Sequence, residues 1–436
     1  MLHALSRTRL LVLAGWLSGL ATAHAEPASE PPPFILGIST HLMNVERPVE
    51  APLKLAAEAG FSAVKDDVFW STAEPKRNEL RIIPQWRRYL EQANSLQLER
   101  LAILGYSTHF HDNAKPRTPE VTGPFLNYVD YVSRQLGNRV SYYEIWNEWD
   151  LQGPRDRQLA QDYAALVRKT VPVLRANTQA APGNKALILA GAVTPEGMDH
   201  GFADQLIDSD TLALVDGLSI HPYVHCAGNN GRTPEAWGRW VSDYEENIRN
   251  KAGRAIPIYL TEVGWPSHKG ACGVSEMTQA LYMARIWFLA RSIPNVKGMW
   301  WYDLYNDGPD RFDQEHNFGI LNEDLSPKPA WTMMRAIAPV VRDFAYNAEA
   351  SVVSGPTYQL YFSNGQQRVL VAWTVGKPLE LGLISHAPVQ GPVRLLDTRR
   401  AANGEVASEQ SWQCAGEHCT ASVRLDDFPK IIRLTP

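Results

Sequence analysis

Cysteine is scarce: the 436-residue chain has four. None falls in the Cys/His spacing that holds structural zinc, which excludes a metal-stapled module. His109 and His111 flank Phe110 with no obvious third ligand, and no metal site is expected there. Basic charge is also in short supply. Lys and Arg number 42 against 47 Asp and Glu, so nothing marks a nucleic-acid surface and no nucleic-acid partner is expected. Past the N-terminus no apolar run is long enough to cross a bilayer. No internal repeat is present beyond an alternation of strand-like and helix-like stretches.

The N-terminus is the exception. Arg7 and Arg9 precede an apolar stretch from Leu10 to Leu20, and Ala23-His24-Ala25 has the small-x-small form of a cleavage site. The stretch is short for a span, so residues 1–25 read as an export signal, with an uncleaved anchor as the alternative. Residues 26–33 form a Pro-rich tether. The mature protein is expected to be periplasmic or secreted, free of the membrane, and monomeric. An even number of cysteines in an exported chain favours disulfides over free buried thiols. Cys414 and Cys419 are expected to pair locally around Gly416, which leaves Cys226 with Cys272. The second bridge would pin two loops at one rim.

From Phe34 onward, strands are expected over 34–39, 61–65, 98–104, 140–145, 186–191, 216–220, 256–261 and 296–302. Helices are expected between them over 48–59, 84–96, 124–136, 157–177, 201–208, 234–252 and 275–292, with a closing helix over 329–341. Several of these strands are continuous apolar runs, as a parallel sheet covered by helices requires. This is the pattern of a (β/α)8 TIM barrel, whose active site lies at the C-terminal ends of the strands. Past Phe344 helix signals vanish. Residues 358–362 and 369–375 flank Asn364-Gly365, a hairpin signal, and short strands follow at 379–383, 393–397, 421–425 and 431–434. The fold class is therefore α/β: a barrel over 34–343 with a small β-sandwich over 344–436 packed on it.

Two barrel strands end in chemistry. Val140 to Ile145 runs into Trp146-Asn147-Glu148-Trp149, and Pro257 to Leu260 runs into Thr261-Glu262-Val263-Gly264-Trp265-Pro266. Each places a glutamate beside tryptophan at the C-terminal end of a strand. A single glutamate is ordinarily a solvated surface charge. Two in this setting suit glycoside hydrolysis, in which one carboxyl group protonates the leaving oxygen and another attacks or activates water. The chain also has 14 Trp and 16 Tyr. Most fill the core, while those near strand ends suit stacking on the apolar faces of sugar rings.

With Trp146-Asn147-Glu148 after strand four and Thr261-Glu262 at the end of strand seven, the chain resembles the clan of (β/α)8 retaining glycoside hydrolases. Within that clan it is most similar to glycoside hydrolase family 39 and to the Psl-type exopolysaccharide endoglycosidases. The stretch Thr261 to Ser267 also resembles the plant-type β-1,3-glucanase family, which leaves the glycan open. The resemblance implies Glu148 as acid/base and Glu262 as nucleophile. The acid needs its pKa raised by apolar walls, for which Trp146 and Trp149 are candidates, or by a neighbouring carboxylate. Tyr223 would donate to Glu262, His221 would line the same wall, and Asn147 would meet the hydroxyl beside the anomeric carbon. Trp301 would floor the cleavage subsite, with a cis peptide at Trp301-Tyr302 or after Trp300. Asp66, Asp67, Trp70, His109, Trp265 and Asn306 are candidate groove residues.

The resemblance thus implies an endo-acting hydrolase of an exopolysaccharide, or biofilm matrix, that needs no metal or organic cofactor. The alternatives are an exo-acting β-xylosidase-like enzyme, a transglycosidase, and a catalytically dead barrel that only binds glycan.

Overall fold

The computed structural model describes residues 33–178, 186–228, 231–385, 392–405, 408–415 and 418–434. The leader and nearly all of the Pro-rich tether lie outside them. Residues 35–338 form one compact unit, and Pro339 to the C-terminus forms the bulk of another.

The first unit is a closed barrel of eight parallel strands in sequential order. They are β1 (Ile35–Ser39), β2 (Ala63–Phe69), β3 (Glu99–Gly105), β4 (Tyr142–Ile145), β5 (Leu187–Val193), β6 (Gly217–Ile220), β7 (Ile258–Val263) and β8 (Val296–Trp301). The first and last strands close the ring, with Gly37 paired to Trp300. Side chains at alternate positions point inward. The interior is filled by Ala63, Leu101, Ile103, Tyr142, Leu189, Tyr259 and Trp300, a solid apolar plug. Gly37 is required beside it, because a Cβ there would overlap the Trp300 ring at 2.3 Å.

Toward the C-terminal ends of the strands the filling changes character. Lys65, Glu144, Ser219, His221 and Thr261 are all buried there. So many buried polar groups are costly unless paired, and they mark the end of the barrel that does chemistry.

The outer helices follow the sequence closely. The helix expected from residue 124 begins earlier, spanning Pro119–Leu136. Pro119 supplies a start at the first helical position, and Pro124 lies inside the helix, where it forgoes one backbone hydrogen bond. The helix expected over 275–292 spans Glu276–Ser292, and it is buried almost all round from Gln279 to Ala290. A helix apolar on every face belongs in an interior. Its polar Gln279 is satisfied by donating to the carbonyls of Trp265 and Phe318.

The second unit holds a six-stranded antiparallel sheet and a three-stranded one. The hairpin expected around Asn364-Gly365 joins β10 (Thr357–Ser363) to β11 (Arg368–Thr374). Strand β9 (Ala345–Ser354) pairs with β10 and was missed, because its burial is low and its apolar signal weak. The two sheets share one core. Leu370, Ala372 and Ile432 of the larger meet Leu381, Leu383, Val423 and Leu425 of the smaller. That is a β-sandwich.

Both expected disulfides are formed, Cys226–Cys272 and Cys414–Cys419. The first closes a loop of sequence separation 46. Replacing both of its cysteines by serine is expected to destabilise the barrel by up to about 4 kcal/mol through chain entropy. Urea unfolding of oxidised protein and of the double variant measures the difference. The Cys414–Cys419 bridge spans only 5 positions and should contribute less.

Candidate active site

Glu148 and Glu262 meet at one end of the barrel. Glu148 follows β4 through a backbone that twice enters the left-handed region, at Trp146 (φ 65°) and at Glu148 itself (φ 44°). Non-glycine residues held there cost of order 1–3 kcal/mol each and cluster at functional sites. The excursion lifts the Glu148 side chain over the rim. On β7 the pairing with β8 shifts register between Leu260 and Val263. Such an irregularity re-aims side chains. Here it lets consecutive Thr261 and Glu262 both reach the barrel interior. The chain then turns at Gly264, where a Cβ would sit 2.1 Å from the Tyr302 carbonyl oxygen.

Glu262 is held from three sides. Lys65 Nζ donates to its Oε1 at 2.6 Å and also to the Thr261 carbonyl at 2.9 Å. The Tyr223 hydroxyl donates to Oε2 at 3.0 Å. His221 Nδ1 lies 3.5 Å from Oε2. Burial alone would push this carboxyl up. The charges of His221 and Lys65, with the Lys65 and Tyr223 hydrogen bonds, outweigh it and hold the pKa at about 2. Glu262 is therefore ionised at any pH a protein ordinarily meets.

His221 bridges the two glutamates. Its Nδ1 is 2.9 Å from Glu148 Oε1. Its Nε2 faces Thr261 Oγ1 at 3.1 Å, and Thr261 in turn donates to Glu144 Oε1 at 2.8 Å. Thr261 has one proton and gives it to Glu144, so His221 must donate from Nε2. That fixes the imidazole orientation and leaves Nδ1 to share a proton with Glu148. Burial lowers the His221 pKa, but Glu262 and the Glu148 hydrogen bond raise it further than that. Glu144 is fully buried and ends the chain.

The nearest atoms of Glu148, His221 and Glu262 all lie within 4.8 Å of one another. Three such groups could in principle ligate a cation, but the Lys65 ammonium already neutralises Glu262. Asn147 Oδ1 is buried with no hydrogen-bond partner, an acceptor left vacant beside Glu148. Asp67 Oδ1 is in the same condition. Burial, Asp66 and Glu262 push the Asp67 carboxyl up to about 7. A surface cavity of about 670 Å³ lined by Asn44, Arg47, Thr72, Gln85 and Arg88 includes neither glutamate.

No protein-family model matches the sequence, and no curated protein matches it. The fold is shared with glycoside hydrolases. The barrel and sandwich are similar to a family 39 glycoside hydrolase from the gut symbiont Bacteroides cellulosilyticus WH2. The TM-score is 0.74 at 23% identity, covering 92% of this chain and 81% of that one. They are also similar to a family 30 subfamily 8 xylanase from Clostridium acetobutylicum, with TM-score 0.64 at 11% identity, covering 93% and 97%. A monomeric β-xylosidase from Caulobacter crescentus aligns at TM-score 0.59 and 15% identity, over 92% and 96%.

Several expected groove residues lie elsewhere. Trp70, Trp265 and Trp301 are fully buried and offer no face to a ligand. Trp70 stacks on His111 at 4.8 Å and on Tyr128, and Trp265 stacks on Trp301 at 6.2 Å. These are core contacts. Asp66 is also buried, accepting from Thr40, Leu42 and Met43 to hold the loop after β1. Asn306 is buried against Lys328. His109 packs on Phe110 at a 3.9 Å ring distance, with no link to either glutamate.

The aromatic at the end of β8 is Tyr302. Alternation along β8 puts Trp300 inside the barrel, Trp301 outside and Tyr302 inside again. The Tyr302 ring stands edge-on to Tyr223 at 6.2 Å and to His41 at 5.1 Å. The cis peptide expected at Trp301-Tyr302 lies one bond later, at Tyr302-Asp303, and a second joins Gly105 to Tyr106. Lys65 was missed too. The available signal was weak: Lys65 stands in β2 between Val64 and the charged pair Asp66-Asp67, and a lysine is almost never fully buried unpaired.

Proposed function

We propose that the protein is a retaining glycoside hydrolase, with Glu262 as nucleophile and Glu148 as acid/base. One observation carries the reading: an oxygen of each carboxylate and a nitrogen of His221 lie within 4.8 Å of one another. Retaining enzymes hold the pair about 5–5.5 Å apart, whereas inverting enzymes leave about 6.5–9.5 Å for a water. The unequal surroundings support the division of roles. Glu262 is kept ionised by Lys65, His221 and Tyr223, as a nucleophile must be. Glu148 is hydrogen-bonded to His221 and is the more exposed of the two, 20% against 13%.

In the first half-reaction Glu148 gives its proton to the glycosidic oxygen while Glu262 attacks the anomeric carbon. The bond to the leaving sugar breaks and a glycosyl ester forms. In the second, Glu148 takes a proton from water, which attacks the same carbon and releases Glu262. The vacant Asn147 Oδ1 suits the hydroxyl beside the anomeric carbon, a contact that strengthens in the transition state. Tyr302, in place of Trp301, is the aromatic surface for the sugar bound there.

The substrate is proposed to be a polysaccharide cut internally, an exopolysaccharide of the cell's own matrix, by a protein exported to the periplasm or beyond. The export-type leader and the family resemblance support this. An exo-acting β-xylosidase-like activity is the second reading, favoured by the structural likeness to a protein described as a β-xylosidase. Product sizing over time on a panel of extracellular polysaccharides and on aryl xylosides separates them. Internal cutting yields a falling distribution of fragments, and terminal cutting yields monosaccharide from the start. If no member of the panel is cleaved and bound glycan is recovered intact, the barrel is a binding protein.

Tyr223→Phe removes the hydroxyl that donates to Glu262. A hydrogen bond to a charged group contributes about 1.5–3 kcal/mol, so kcat/KM is expected to fall roughly 10- to 100-fold. Steady-state kinetics on an aryl glycoside checks it. A fall of less than twofold would remove Tyr223 from the reaction.

A further inference from the structure

Beside the cleavage site, but outside its machinery, stand His41, Asp303 and Asp307. His41 follows β1 and the two aspartates follow β8, so the closure of the barrel brings them together. His41 Nδ1 is 3.1 Å from Asp307 Oδ2 and 3.6 Å from Asp303 Oδ2, and all three groups have an atom within 4.8 Å of the others. The Asp303 side chain is 2% exposed. Its Oδ1 has no hydrogen-bond partner, and its Oδ2 lies 3.6 Å from His41 Nδ1. A buried carboxyl oxygen left without a partner is costly, and a bound ion is one explanation for it.

We propose that His41, Asp303 and Asp307 form a binding site for a divalent transition-metal ion, of the zinc or manganese kind, at the mouth of the barrel. Imidazole and carboxylate donors bind such ions at about 2.0–2.2 Å, which sets neighbouring donor atoms roughly 3–3.5 Å apart. The two measured separations from His41 Nδ1 lie close to that spacing. A donor set containing imidazole favours these ions over calcium or magnesium, which prefer all-oxygen cages. An ion there would take the place of the proton that His41 Nδ1 shares with Asp307 and would also satisfy the buried Asp303. The side chains of His41 and Asp307 are 28% and 29% exposed, so an ion can enter and further positions stay open to solvent oxygen. The site stands whether or not Glu148 and Glu262 hydrolyse a glycan.

The test uses the full chain stripped with chelator and titrated calorimetrically with zinc or manganese alone. Wild-type protein is expected to take up one equivalent, and its Tm to rise on metal addition. Asp307→Asn and His41→Gln are the variants, since both positions are partly exposed and the metal-free proteins should fold. Each should bind at least about tenfold more weakly and lose the metal-dependent rise in Tm. Absence of stoichiometric uptake by wild type overturns the proposal. So does uptake that persists unchanged in both variants, which would put the ion elsewhere.

Discussion

Glu262→Gly is expected to lower glycan cleavage by at least about 10⁴-fold, equivalent to roughly 5.4 kcal/mol of barrier. No other group near the anomeric carbon can form the ester, because Lys65, Tyr223 and His221 all serve to hold Glu262 itself. Azide supplied to this variant should restore turnover of an aryl glycoside and give a glycosyl azide of inverted configuration, since azide enters from the face Glu262 has vacated. Glu148→Ala should behave differently. With a substrate whose leaving group needs no proton, the first half-reaction survives and the glycosyl ester accumulates. Azide then attacks the ester and gives product of retained configuration. Opposite stereochemistry from the two variants assigns the two roles. Full activity in either variant, or the same azide product from both, would contradict the assignment. Mass spectrometry of the Glu148→Ala protein with a slow substrate should find the sugar on the peptide carrying Glu262.

How far the site could be read from the chain depends on which physical signal each residue leaves. The barrel was legible because eight apolar strand runs recur between helices, and such a pattern has few folded solutions. Cys226 and Cys272, in loops after β6 and β7, were paired by elimination, and the bridge is formed. Tyr302 was not legible by residue type. Three aromatics stand in a row, and only the alternation of the strand, anchored by which of them fills the barrel, decides which faces the cleft. Lys65 reads as one of three consecutive charged residues with Asp66 and Asp67, and its partner lies 197 positions away. The Glu144–Thr261–His221 chain was out of reach for a further reason. Thr261 and Glu262 are adjacent, so a regular strand would point them to opposite faces. The register shift at the end of β7 turns both inward, and no local sequence rule announces it. Trp70, Trp265 and Trp301 differ in the other direction: closeness to a strand end does not imply exposure, and all three are core.

Lys65→Met should alter the pH dependence as well as the rate. In the wild type the Glu262 carboxyl lies at about 2, below the ordinary carboxylate range. A carboxyl depressed on folding contributes stability that is fully present above its unfolded pKa, about 4.3, and is lost as pH falls toward the folded value. Removing an ammonium 2.6 Å away leaves burial opposed by His221 and Tyr223 alone. Loss of one close opposite charge moves a carboxyl up by about 1–3 units. The acidic limb of kcat/KM should therefore move to higher pH by that amount, and resistance to urea below about pH 4 should fall less steeply than in the wild type, because less of the stability tied to an ionised Glu262 is left to lose. The rate should change because Lys65 faces Glu262 as it leaves the glycosyl ester, where negative charge returns to the carboxylate. Removal of one electrostatic donor of this kind costs about 10²–10³ in kcat. The second half-reaction should suffer most, so a burst of aryl leaving group should precede the slow steady state. Lys65→Arg keeps the charge and should recover the position of the acidic limb, even where the longer side chain disturbs the rate. An acidic limb that stays in place in Lys65→Met would mean that His221 and Tyr223 suffice to hold Glu262 ionised, and that Lys65 serves only to fill the barrel.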